Sequence, residues 1–138
     1  MESSLKKRLA ENLKKQKVVF AYLFGSQAMG TAGRLSDTDV AVYLDDRIPR
    51  DKHFDARLEV LGALMDVLKT DDIDVAVLND APPLLAHRIL KEGVLIFSDN
   101  DKVRLAYEVR AVLKYLDWKP YLDKFTQQVF GTGAADGG

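Results

Sequence analysis

Cysteine is absent from this chain of 138 residues, which excludes disulfides, thiolate zinc sites and cysteine nucleophiles at once. Neither sign of charge is in excess. Lysine and arginine number 20 against 21 aspartates and glutamates, a formal net charge of −1. Strong nucleic-acid binding is therefore not expected, since it calls for a markedly basic face. The N-terminal stretch does lean basic (Lys6, Lys7, Arg8, Lys14, Lys15, Lys17), but no apolar region follows it, so a signal peptide is not expected. No hydrophobic run approaches the length of a bilayer span, and no internal repeat is visible. These absences leave a soluble cytoplasmic protein, with no membrane partner, as the expectation.

What is present fits one compact domain with a core of its own. Hydrophobic residues make up 47% of the chain. Residues 3–16 read as an amphipathic helix, with Leu5, Leu9 and Leu13 spaced four apart. The run KVVFAYLF (17–24) has the β-branched and aromatic content of a buried strand. Gly25-Ser26 ends it, Gly30 and Gly33 mark a loose link or a single helical turn, and TDVAVYL (38–44) gives a second strand. Pro49 lies in a loop, after which Phe54, Leu58, Leu61, Leu64, Met65 and Leu68 trace one helix face. DIDVAVL (72–78) is a third strand, Pro82-Pro83 opens a helix ending near Gly93, and VLIF (94–97) is a fourth strand. A helix over 101–118, carrying Val103, Tyr107, Leu113 and Leu116, precedes a further helical piece reaching Phe130. The order α-β-β-α-β-α-β-α predicts an α/β (α+β) fold, a mixed sheet flanked by helices. Residues 1–98 form its core, 99–130 a helical extension of the same domain, and 131–138 a flexible tail.

One segment concentrates the chemistry. Gly25-Ser26 is followed by Asp37 and Asp39 in LFGSQAMGTAGRLSDTDVAVYL. Alternation along a strand puts Asp37 and Asp39 on one side, roughly 6–7 Å apart, with Val40 and Val42 facing the core. Adjacent carboxylates repel, and a divalent cation between them relieves the repulsion; hard oxygen ligands with open positions suit Mg²⁺. Asp74 opens the apolar half of the third strand as Asp39 does in the second. If those strands pair in register, Asp74 completes a triad able to hold two ions. A strand turning at Gly25 exposes backbone N–H groups to a phosphate, and the Ser26 hydroxyl adds a donor. Arg34 is near enough in sequence to reach a phosphate or to offset the acidic cluster. Taken singly, a Gly-Ser turn is usually a turn, and Asp-x-Asp an exposed strand start. Their joint order favours a site for a nucleoside triphosphate, while Asp71 and Asp72 read as strand-edge charges.

On these residues the chain resembles the polymerase β-like nucleotidyltransferase superfamily, and within it the minimal nucleotidyltransferase (MNT) group. The group's signature is GS, ten residues, DxD, and a third aspartate on a later strand; Gly25, Ser26, Asp37, Asp39 and Asp74 match it. The similarity spans about Val18 to Phe97, including HRILKEGVLIF (87–97). It implies Mg²⁺-dependent transfer of AMP, or another NMP, from ATP or another NTP to a hydroxyl. Asp37, Asp39 and Asp74 would be metal ligands and catalytic residues. It further implies an antitoxin that adenylylates a tyrosine of a HEPN ribonuclease toxin. A binding antitoxin that merely occludes its partner and an aminoglycoside-type transferase remain the alternatives.

Three further features carry less. Tyr107, Tyr115, Trp118, Tyr121 and Phe125 suit either an interface or packing on the sheet, and packing is expected for most of them. Trp118, beside Lys119-Pro120 at a helix end, is the one expected to be exposed. Arg47 and His53 match a HEPN-type Arg-to-His spacing, but Pro49 breaks any helix between them. His87, among Leu84, Leu85 and Leu90, reads as a packed or surface histidine rather than a ligand.

Overall fold

The computed structural model describes residues 3–24 and 38–130. Gly25, Ser26, Arg34 and Asp37, the side chains of Leu5 and Phe125, and the tail 131–138 lie outside the described residues. The elements are α1 (Ser3–Lys15), β1 (Val18–Phe24), β2 (Thr38–Leu44), α2 (His53–Leu68), β3 (Ile73–Val77), α3 (Pro83–Glu92), β4 (Val94–Ser98) and α4 (Asp101–Phe130). Short 3-10 turns precede α2 and follow β3.

The described strands form one mixed sheet in the order β3-β2-β1-β4. β1 pairs antiparallel with both β2 and β4, whereas β2 and β3 run parallel. A parallel pair needs a crossover, and α2 supplies it. Both faces of the sheet are covered, so β1 and β2 read as nearly continuous apolar runs. One face carries Val40, Val42, Leu44 and Val75 against Leu9 and Leu13 of α1 and Val60 and Leu64 of α2. The other carries Phe20, Tyr22, Ala41 and Tyr43 against Ala86 and Ile89 of α3 and Tyr107 and Ala111 of α4.

Several sequence expectations need correction. β1 starts at Val18, because Lys17 has a left-handed φ of 61° that no strand accommodates. On α2, Phe54 and Leu58 are exposed rather than core-facing. At about 100° per residue they stand well around the axis from Val60 and Leu64, the residues that meet the sheet. Residues 101–130 form a single helix that runs through Pro120. Proline there forfeits one N–H, in a stretch (116–121) open to water that can solvate the freed carbonyl. On α4, Val103, Tyr107 and Ala111 face the sheet while Leu113 and Leu116 are exposed.

The late aromatics divide. Tyr107 is buried and donates its hydroxyl to the Leu78 carbonyl at 3.0 Å. Tyr115 stacks flat on His87 with ring centroids 3.6 Å apart. Trp118 is half exposed, as expected, and Tyr121 is exposed as well, at 73%. Packing on the sheet is thus true of Tyr107 and not of Trp118 or Tyr121.

Candidate active site

β2 and β3 bring two of the predicted acids together. In the parallel ladder Asp39 is the register partner of Asp74, so the two residues stand on neighbouring strands about 4.8 Å apart on the same face. That face is also the one on which Ala41, Tyr43 and Ala76 pack. Phe24, which precedes Gly25 in the chain, is the partner of Asp39 on the other side. The end of β1, the start of β2 and the start of β3 therefore meet at one edge of the sheet. The backbone fixes this arrangement: Thr38 N–H donates to the Asp72 carbonyl at 2.9 Å, locking the entries of β2 and β3 together.

The Asp74 side chain is 68% exposed, so its carboxylate is open to a ligand. Its Oδ1 accepts from Arg57 Nη2 at 2.6 Å and from the Val75 backbone N–H at 2.9 Å. Arg57 Nε donates to the Val75 carbonyl at 2.6 Å. β3 is an edge strand, and this arginine, reaching over from α2, occupies part of its free backbone. Arg57 was not singled out from the sequence. It lies amid the apolar pattern of α2, and only the packing of that helix on β3 links it to Asp74.

Two carboxylates in register are a hard-oxygen donor pair suited to Mg²⁺. Among the described residues no group of three or more histidine, aspartate or glutamate side chains converges; the third predicted ligand, Asp37, is outside them. The donors present fit the metal in kind.

A cleft of about 530 Å³ lies elsewhere, lined by Tyr43, His53, Asp80 and Arg110 among others. Tyr43 is four residues along β2 from Asp39, roughly 13 Å of strand. His53 is used there as a clamp, with Nδ1 2.7 Å from Asp80 Oδ2 and Nε2 3.3 Å from the Ile48 carbonyl. Arg47 instead pairs with Asp45 at 2.9 Å, and that ion pair holds Asp45 down at about 2. The Arg47–His53 spacing therefore builds no ribonuclease centre. Asp71 and Asp72 are exposed, in keeping with strand-edge charges.

Further back along β1, the Tyr22 hydroxyl donates to Glu108, which also pairs with Arg104 at 3.1 Å. Burial, and then the Glu108 carboxylate, push the Tyr22 phenol above its ordinary range. This cluster ties α4 to β1 three residues before Gly25.

Comparison with known proteins accords with this geometry. The family model for polymerase beta nucleotidyltransferases matches residues 7–102. The chain is 26% identical over 114 residues to the protein adenylyltransferase MntA of Shewanella oneidensis, covering 83% of this chain and 76% of that protein. A toxin–antitoxin crystal structure with AMP-PNP superposes with a TM-score of 0.74 at 24% identity, over 91% of this chain and 98% of the other. A tri-AMPylated Shewanella oneidensis HEPN toxin in complex with MNT antitoxin gives a TM-score of 0.72 at 20% identity, over 95% and 100%. The chain belongs to the polymerase β nucleotidyltransferase family, and its fold is the one expected from sequence.

Proposed function

We propose that this nucleotidyltransferase moves AMP from ATP to a hydroxyl on a partner protein, a tyrosine of a HEPN-type toxin, and thereby acts as its antitoxin. The observation that carries the chemistry is the Asp39–Asp74 register pair at the sheet edge where β1 runs into Gly25-Ser26. The acceptor is supported by similarity to the protein adenylyltransferase MntA and to complexes of MNT antitoxin with HEPN toxin.

Asp37, Asp39 and Asp74 would hold two Mg²⁺ ions. Bound there, the ions would favour loss of the acceptor's proton and offset charge on the departing pyrophosphate. Transfer forms a bond from the acceptor oxygen to the α-phosphorus and breaks the bond from that phosphorus to the bridging β-oxygen. Gly25 and Ser26 would hold the triphosphate through backbone N–H groups and the serine hydroxyl, with Arg34 as a further cation. The Asp74 carboxylate would stand beside the acceptor hydroxyl and favour its deprotonation. ATP as donor is consistent with a cytoplasmic protein, and no described helix is long and apolar enough to cross a membrane.

Leu105, Val109, Val112, Leu113 and Leu116 are all exposed on α4, on the side facing away from Tyr107 at about 100° per residue. An apolar stripe of this kind suits a protein contact. The test is transfer from labelled ATP to a co-purified partner, read by mass spectrometry for added AMP. Asp39→Asn should abolish labelling with the fold intact; near-normal labelling refutes the assignment. If an Asp37/Asp39 double variant still protects cells from the partner, neutralisation is by occlusion instead. Labelling of an aminoglycoside rather than the protein would favour the small-molecule alternative.

A further inference from the structure

We propose that Arg57 is a positioning residue of this centre: it takes one oxygen of Asp74 and so fixes which oxygen that carboxylate offers to a divalent ion and the acceptor. The inference rests on the transferase reading above and deepens it at the same site.

The geometry is a closed set of contacts. Arg57 Nη2 reaches Asp74 Oδ1, Arg57 Nε reaches the Val75 carbonyl, and the Val75 N–H returns to Oδ1. Two donors therefore converge on Oδ1, and among the described residues none reaches Oδ2. An aspartate on an edge strand would otherwise be free to turn about its side-chain bonds. Here the rotation is blocked, because Arg57 is itself anchored to the backbone of the next residue. Arginine suits this role where lysine does not: its planar fork serves a carboxylate and a carbonyl from one rigid group.

The stability of the ion pair itself does not account for the contact with Asp74. The Asp74 side chain is 68% exposed, and an exposed ion pair adds little to folding. Orientation of a metal-binding carboxylate, by contrast, commonly alters affinity or activity by 10–100-fold. Removing the arginine also removes a positive neighbour, which by itself would favour a cation. Water and salt screen that effect at an exposed site, so the loss of orientation dominates.

The test uses the full chain and two readouts. Mn²⁺ binding is followed by electron paramagnetic resonance, and transfer is followed as kcat and the KM for ATP. Arg57→Ala and Arg57→Lys should each weaken Mn²⁺ binding about tenfold and lower kcat with little change in KM. Both variants lose the part-buried bond to the Val75 carbonyl and should melt somewhat lower, so Mn²⁺ binding and transfer are read well below the melting transition. In an Asp74→Asn background, Arg57→Ala should change Mn²⁺ binding no further. Wild-type behaviour of Arg57→Lys, or unchanged Mn²⁺ affinity in Arg57→Ala, overturns the inference. Asp39→Asn is the control: if it leaves Mn²⁺ binding untouched, the transferase reading itself fails. If only the Arg57 variants are silent, the positioning role fails alone.

Discussion

Asn79 closes both backbone positions of Leu44: the Leu44 N–H donates to Asn79 Oδ1 at 2.8 Å and Asn79 Nδ2 donates to the Leu44 carbonyl at 3.0 Å. β3 has ended at Val77, so the amide continues the ladder past the point where the strand stops. Leu44 is fully buried, and its backbone groups have no water to replace the amide. Asn79→Ala should therefore destabilise the protein by about 1–3 kcal/mol, read as a lower melting temperature. Asn79→Asp would keep the acceptor but set a carboxylate oxygen against the Leu44 carbonyl, and should destabilise at least as much.

Gly93 ends α3 where the chain turns into β4. A Cβ there would lie 2.5 Å from the Ile89 carbonyl oxygen and 3.3 Å from that of Leu23. Both obstacles are backbone, so neither can swing aside. Gly93→Ala should cost about 1–3 kcal/mol through forced displacement of β4 from β1. Equilibrium denaturation measures this, and Gly62→Ala is the control. Gly62 is an exposed helical position with nothing within 4 Å of the added Cβ, where alanine should stabilise by about 0.5–1 kcal/mol.

Alkaline pH should unfold the chain through its buried phenols. Burial raises Tyr22, Tyr43 and Tyr107 above their ordinary value of 10.0, Tyr107 to about 12. A raised folded-state pKa means the fold binds the proton more tightly than the unfolded chain does. The stability from that preference is complete below pH 10 and is lost as pH rises from there through about 12. The phenolate bands of these three tyrosines should thus grow together with loss of the helical circular-dichroism signal. Growth of all three bands in a chain still fully helical would contradict the burial argument.

The outward stripe of α4 should matter for association and not for folding. Val109→Lys and Leu116→Lys place charge on exposed positions, where substitutions usually change stability by less than about 0.5 kcal/mol. Combined, they should abolish co-purification of the partner at unchanged melting temperature. Normal co-purification would remove α4 from the contact.

Much of this was legible from residue order. All eight main elements follow from periodicity, glycine and proline, because each pattern is local. The sequence limits of β2 match the structure, whereas the third strand expected over 72–78 spans Ile73–Val77; Asp39 and Asp74 each open the apolar half of their strand. Their pairing was conditional on the strands being neighbours, and the ladder satisfies that condition. What periodicity could not fix was which arc of a wide apolar helix meets the sheet. Phe54 and Leu58 on α2 and Leu113 and Leu116 on α4 satisfy the helical pattern and still face outward. A hydrophobic residue lowers its free energy against any apolar surface, its own sheet or another molecule, so its sequence position does not choose between them.

The amino-acid sequence by itself determined the succession of helices and strands and the acidic, glycine–serine signature, since these depend on neighbours a few positions apart. Tertiary structure alone decided that Arg57 grips Asp74 and that Asn79 extends the ladder for Leu44. Those contacts join residues 17 and 35 positions apart, and their geometry exists only once α2 and β3 have packed.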